Sequence, residues 1–125
     1  MTDPVRPGAP RLIAVTIDCT DLEAMLAFWS GLLGGETQLE EPFGFIQSPG
    51  GRGAAVWLQR VPESHSGKNR LHVDLVSDDL ATTEKLIEEL GGSLDGIHEW
   101  HGFRWRTCRD PEGNVFDVMQ GQAAE

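Results

Sequence analysis

Ile13-Ala14-Val15-Thr16-Ile17, followed by Asp21-Leu22, returns later in the chain as Leu71-His72-Val73-Asp74-Leu75, followed by Asp79-Leu80. Ile13 and Leu71 are 58 positions apart, and so are Asp21 and Asp79. Each copy opens on a strand-like run, passes an Asp-Leu helix start and ends on a leucine-glycine stop, Leu33-Gly34 in one and Leu90-Gly91 in the other. The chain therefore reads as a duplicated half. Two halves of one shape meet at a pseudo-twofold seam, where side chains from equivalent strands can converge on one ligand.

Working outward, residues 11–18 alternate apolar and polar side chains with period two, the pattern of a half-buried strand. Thr20 or Asp21 then caps a helix whose apolar face, Leu22, Met25, Leu26, Trp29 and Leu33, follows helical spacing until Gly34-Gly35 stops it. Three short strands are expected near 37–40, 43–47 and 54–61, divided by Pro42 and the turn-forming Ser48-Pro49-Gly50-Gly51. The second copy repeats the order, with a strand at 70–77, a helix at 79–90 and strands near 93–97, 103–109 and 115–120. Its last tight turn is Asp110-Pro111-Glu112-Gly113-Asn114. The predicted fold class is α+β: two β-α-β-β-β modules whose strands form a cupped, barrel-like mixed sheet with the helices outside. Residues 1–10 read as a flexible arm, 11–61 as module one, 62–69 as a linker, 70–120 as module two and 121–125 as a tail, so that 11–120 form a single domain.

Composition agrees with one domain of 125 residues, because a half of about 60 residues would be marginal alone. Apolar residues at 39% and charged residues at 24% are globular values, without an apolar run able to span a bilayer or a signal-peptide pattern. The expectation is a cytoplasmic protein with no membrane partner. A net charge of −10 would repel a phosphate backbone, which argues against nucleic acid. Cys19 and Cys108 lack metal or redox spacing and read as buried free thiols.

Strand alternation sharpens the search for a site. Ile13, Val15, Leu71 and Val73 should pack beneath the helices, which leaves Ala14, Thr16 and Asp18 on the opposite face of the first copy and Arg70, His72 and Asp74 on that of the second. The same spacing of 58 sets Gln59 against Asp117 in the two last strands. Trp57 shares the side of Gln59, and Trp105 precedes the final turn; either can stack on a planar ligand or sit in the core. Asp74, two residues after His72, is the candidate catalytic residue, as a general base or as the group that orients the imidazole, or else simply a solvated carboxylate. His98 and His101 flank Trp100 in an expected hairpin that could rim a pocket, while His65 falls in the polar linker and should be exposed.

These residues carry a resemblance. The paired modules, the helix entry from Asp21 to Trp29 with Leu32-Leu33-Gly34-Gly35, the run Asn69-Arg70-Leu71-His72-Val73-Asp74-Leu75, and Asp110-Pro111-Glu112-Gly113-Asn114-Val115-Phe116-Asp117 resemble the vicinal oxygen chelate superfamily. That superfamily includes glyoxalase I, bleomycin-resistance proteins, extradiol dioxygenases and fosfomycin-resistance enzymes, and within it the chain is most similar to compact glyoxalase-like proteins of actinobacterial type. The resemblance implies one divalent metal, Mn, Fe, Co, Ni or Zn, held by His72, Asp117 and Gln59, with Ala14 standing where a fourth ligand is expected. It implies a ligand pocket lined by Thr16, Asp18, Trp57, Gln59, His72, Asp74, Trp105 and Asp117, and a homodimer. Two functions follow. With a metal, the protein is a lyase, isomerase or epimerase acting on a small molecule; without one, it is a non-catalytic sequestering protein of the bleomycin-resistance kind, with an acidic, aromatic-lined groove for a cationic drug.

Overall fold

The structure is a computed structural model that describes residues 7–48 and 53–121. Most of the expected arm, Pro49-Gly50-Gly51 of one predicted turn, and the tail after Gly121 lie outside the described residues. Module one runs β1 (Ala14–Cys19), α1 (Leu22–Leu33), β2 (Thr37–Glu40), β3 (Phe43–Ile46) and β4 (Ala55–Arg60). Module two runs β5 (Asp74–Ser77), α2 (Leu80–Glu89), β6 (Ser93–Trp100), β7 (Phe103–Arg109) and β8 (Val115–Gln120). The strand orders are β1-β4-β3-β2 and β5-β8-β7-β6, with the first and last strand of each module parallel and the other neighbours antiparallel.

The predicted modules are present, and one feature of their assembly differs from expectation. The strands form two separate four-stranded sheets and close no barrel. In each sheet the first strand is an edge, so β1 and β5 keep one side unpaired among the described residues.

Both helices start for the same reason. The Asp21 carboxylate accepts the Ala24 N–H at 3.1 Å, and the Asp79 carboxylate accepts the Thr82 N–H at 3.2 Å, each filling an otherwise open donor of the first turn. The spacing of 58 therefore holds through the helix caps. It then drifts. The Val61 N–H donates to the Cys19 carbonyl just as the Gly121 N–H donates to the Ser77 carbonyl, which puts the last strands 60 positions apart. Leu58 and Val118, both fully buried, are the true counterparts. Thr16 lies opposite Trp57 where Asp74 lies opposite Asp117, so the position equivalent to Asp117 is Trp57, and the expected pairing of Gln59 with Asp117 is corrected by two residues. The surplus arises in the longer second hairpin, where β6 and β7 span 8 and 7 residues against 4 and 4 for β2 and β3.

A single core joins the modules. Phe28 and Trp29 of α1 meet Phe116 of β8, with ring centroids 6.1 Å and 4.9 Å from it. A Cβ at Gly92 would fall 2.9 Å from the Phe28 ring and 2.7 Å from the Arg109 carbonyl, so only glycine admits this approach. The Asp110-Pro111-Glu112-Gly113-Asn114 turn forms a polar clamp across the seam. Buried Asp110 accepts the Trp29 indole N–H at 3.2 Å and the backbone N–H groups of Glu112 and Asn114. Glu112 accepts the N–H groups of Thr20 and Asp21 at 2.9 Å and 2.7 Å, placing a carboxylate at the positive end of α1.

Not every first-strand residue is where alternation puts it. Ile13 and Leu71 are 58% and 88% exposed rather than buried beneath helices. Pairing begins only at Ala14 in β1 and at Asp74 in β5, later than the expected strand start at 70, so the apolar positions that reach the core are Ile17 and Cys19 in one module and Val73 and Leu75 in the other. Cys19 and Cys108 are buried free thiols, as expected.

Candidate functional site

His72 precedes β5 instead of lying within it. The approach to it is fixed from behind by Asn69, whose side chain accepts the Val115 N–H at 3.1 Å and donates to the Val115 carbonyl at 3.3 Å. Released from regular strand geometry, the imidazole turns toward the next two positions on its face. His72 Nε2 stands 3.2 Å from Asp117 Oδ2 and 3.4 Å from Asp74 Oδ1. Asp74 and Asp117 are direct cross-strand partners on β5 and β8. One donor atom from each of the three residues falls within 4.8 Å of the others.

The three groups are held differently. Asp117 is the anchored carboxylate: its side chain is only 16% exposed, and its Oδ1 accepts the Thr107 hydroxyl at 2.8 Å. Asp74, 64% exposed, stands at the mouth. An imidazole nitrogen with two carboxylate oxygens is a donor set that suits Mn, Fe, Co, Ni or Zn, so the residues present fit the expected ion.

A cavity of about 500 Å³ opens on these residues, lined by His72, Asp74, Asp117, Trp100, Phe103, Trp105 and Met119. Its aromatic wall is the β6–β7 hairpin. Trp100 pairs with Phe103 across the two-residue turn His101-Gly102, whose φ values of 49° and 83° are left-handed as such a turn requires. His98 stacks on Trp105 with centroids 5.6 Å apart. A second cavity of about 670 Å³ lies at the seam between β1 and the approach to β5, over Trp29 and Phe116, and is edged by Thr16, Asp18 and the linker residues Glu63 to Ser66. His72 lines both.

The sequence-predicted residues thus divide into three sets. His72, Asp74, Asp117 and Trp105 come together at the smaller cavity. Thr16 and Asp18 share only the seam cavity with His72. Trp57 and Gln59 line neither of these cavities: Trp57 packs edge-on against Phe45 at 5.6 Å, and Gln59 lies one pleat beyond it. Ala14 opens β1 opposite Ala55 and has no donor to offer. His65 is exposed, as expected. Sequence reading missed Phe103, Thr107 and Met119. The signal was present, because Phe103 and Thr107 share the parity of Trp105 on β7 and Met119 that of Asp117 on β8.

The fold agrees with the comparisons. A family model described as a glyoxalase-like domain matches residues 14–119, and the chain belongs to that family, within the glyoxalase, bleomycin resistance and dioxygenase group of the vicinal oxygen chelate superfamily. No curated protein matches it in sequence. Among solved structures, it is similar to a glyoxalase/bleomycin resistance protein/dioxygenase family enzyme from Burkholderia phytofirmans PsJN, at 17% identity and a TM-score of 0.73, covering 86% of this chain and 95% of that one. It is similar to a mutant of the fosfomycin resistance protein FosX from Listeria monocytogenes, complexed with Mn(II) and a dihydroxypropylphosphonic acid, at 14% identity, a TM-score of 0.74 and 91% coverage of both chains. A lactoylglutathione lyase from Agrobacterium tumefaciens matches at 22% identity and a TM-score of 0.66, over 90% of this chain and 95% of that one.

Proposed function

We propose that this chain is a small-molecule-binding glyoxalase-like protein that holds one divalent metal ion with His72, Asp74 and Asp117 and acts as a lyase, isomerase or epimerase. The meeting of three donor atoms at the end of an open, aromatic-walled cavity supports this reading. Asp74 takes the place that the resemblance gives to Gln59. A divalent ion bound there supplies a Lewis acid for a substrate carbonyl. The chain's own residues supply the rest. Thr107 fixes Asp117, His72 Nε2 stands between the two carboxylates as the third donor, and exposed Asp74 keeps a second oxygen able to accept a proton from bound substrate. The FosX neighbour was solved with Mn(II), which makes manganese the first ion to test.

Elemental analysis and calorimetric titration of untagged protein with Mn, Ni and Zn test the proposal. One equivalent of bound ion in the wild type and none in His72→Ala is the expected result; no heat and no stoichiometric metal in the wild type would overturn it. The second reading, sequestration of a cationic molecule without catalysis, draws on the same two carboxylates beside aromatic rings. Ligand binding without bound metal or turnover would favour it. We further propose a cytoplasmic homodimer; exposed Leu12, Ile13 and Leu71 ahead of β1 and β5, and Val76 on β5, support the dimer.

A further inference from the structure

We propose that the cavity beside His72, Asp74 and Asp117 selects a ligand whose planar aromatic part, lying on the hairpin rings, carries no anionic group. The inference rests on those three residues marking the ligand-binding end of the cavity, and it adds what the opposite wall requires.

That wall is built from the inward-facing positions of one hairpin. Trp100, Phe103 and Trp105 lie on the same face of β6 and β7, with Met119 beside them on β8. Trp100 is 63% and Phe103 47% exposed, a large aromatic surface left in water, whereas Phe28, Trp29 and Phe116 are buried in the core. His98 stacks on Trp105 at an interplanar angle of 29°, so the indole is held by a neighbouring ring. A flat apolar body laid against these rings removes both surfaces from water and gains the offset or edge-on contacts that aromatic pairs favour.

Charge then narrows the class. The lining residues include two carboxylates and no lysine or arginine among the described residues. On β7, Arg104 and Arg106 alternate to the other face, where Arg106 is engaged by Glu84 of α2 at 2.6 Å and by the Asp95 carbonyl, while Arg109, of the same parity as Trp105, is paired with Asp95 at 2.9 Å and does not line the cavity. Arg70 shares the parity of His72 yet does not line the cavity. A sulfonate, phosphate or carboxylate on the ligand would enter a site without a counter-charge, inside a chain of net charge −10. A bound divalent ion would balance Asp74 and Asp117 and could take an anionic group directly, but at the aromatic end, away from that ion, an anionic group still meets no counter-charge. The exclusion therefore applies, with or without metal, to the part of the ligand that lies on the rings.

The test uses two probes that differ by one charge, naphthalen-2-ol and 6-hydroxynaphthalene-2-sulfonate, added to the full-length protein before and after dialysis against Mn. The four tryptophan indole N–H resonances are followed by NMR. Naphthalen-2-ol should shift Trp100 and Trp105 and leave Trp29, which is buried on Asp110, in place. The sulfonate should bind roughly tenfold more weakly or worse, and Trp105→Ala should weaken naphthalen-2-ol by about three- to tenfold. Trp100→Ala, at a more exposed position, repeats the test if the first variant does not fold. Equal binding of the two probes, no binding of either, or a shift confined to Trp29 at the seam would overturn the inference. Absence of Mn binding with the probe pattern intact would refute the metal reading and leave this one standing.

Discussion

At the level of single residues, the site is one-sided. Module two offers His72 and Asp117 where module one offers Ala14 and Trp57, neither of which carries a metal donor. Substitutions should therefore have unequal effects. His72→Ala and Asp117→Asn should abolish Mn binding in calorimetry, whereas Gln59→Ala should leave it within about twofold. Thr107→Val removes only the hydroxyl that fixes Asp117, and such supporting contacts are worth roughly 10- to 100-fold in metal affinity. Much of this was legible in the sequence. His72 and Asp74 follow from strand parity, Asp117 from the repeat spacing and Trp105 from its place before the final turn, but the contact of His72 with Asp74 depends on the imidazole lying ahead of the regular strand, which alternation does not reveal. Gln59 was misplaced because a constant spacing was extended across a hairpin whose two copies differ in length.

Titration offers a second prediction at the same scale. Burial pushes the Cys19 thiol up to about 11 and the Cys108 thiol up to about 12, from an ordinary 9.0. The folded chain then keeps its thiol protons where the unfolded chain has lost them. Stability contributed by the neutral thiols is intact below pH 9.0 and declines as pH rises toward 11 and 12. Urea unfolding midpoints measured between neutral pH and pH 10.5 should fall, and a double Cys→Ala variant should show a shallower fall.

At the level of elements, the turn from Asp110 to Asn114 does more than reverse the chain. Its two carboxylates reach into module one, Asp110 to Trp29 and Glu112 to the start of α1. Asp110→Ala would leave a buried indole N–H and the Asn114 amide without their acceptor, at a cost of about 3 kcal/mol. Glu112→Gln keeps the shape and loses the charge at the helix end, at a cost of about 1 kcal/mol. Chemical denaturation of the two variants checks the order. The sequence marked this segment as a tight turn and could show no more, since its partners lie 81 to 92 positions away. Element identities were otherwise plain from periodicity: 37–40, 103–109 and 115–120 were each placed to the residue. The late start of β5 was not, because residues 70–73 alternate like a strand, yet only Val73 joins β8, through its carbonyl, and that pairing is a tertiary fact.

For the whole molecule, duplication was visible in the sequence, while the way the copies join was not. Alternation predicts a cupped face for each module but contains no information on whether β1 and β5 pair, and they do not. The modules are instead tied by Phe28, Trp29 and Phe116 and by the acidic turn, so either half produced alone should be unfolded by circular dichroism. Light scattering should give twice the chain mass if the homodimer proposal holds. The duplicated plan also leaves one thiol in the core of each half, Cys19 in the first and Cys108 in the second, neither reachable while its half stays closed. Each is a clock for the opening of its own module. Under a fast alkylating reagent the two clocks run together if the halves open as one cooperative unit and apart if one half opens first, so a single trapping experiment measures whether an ancient duplication still unfolds as two pieces or has become one.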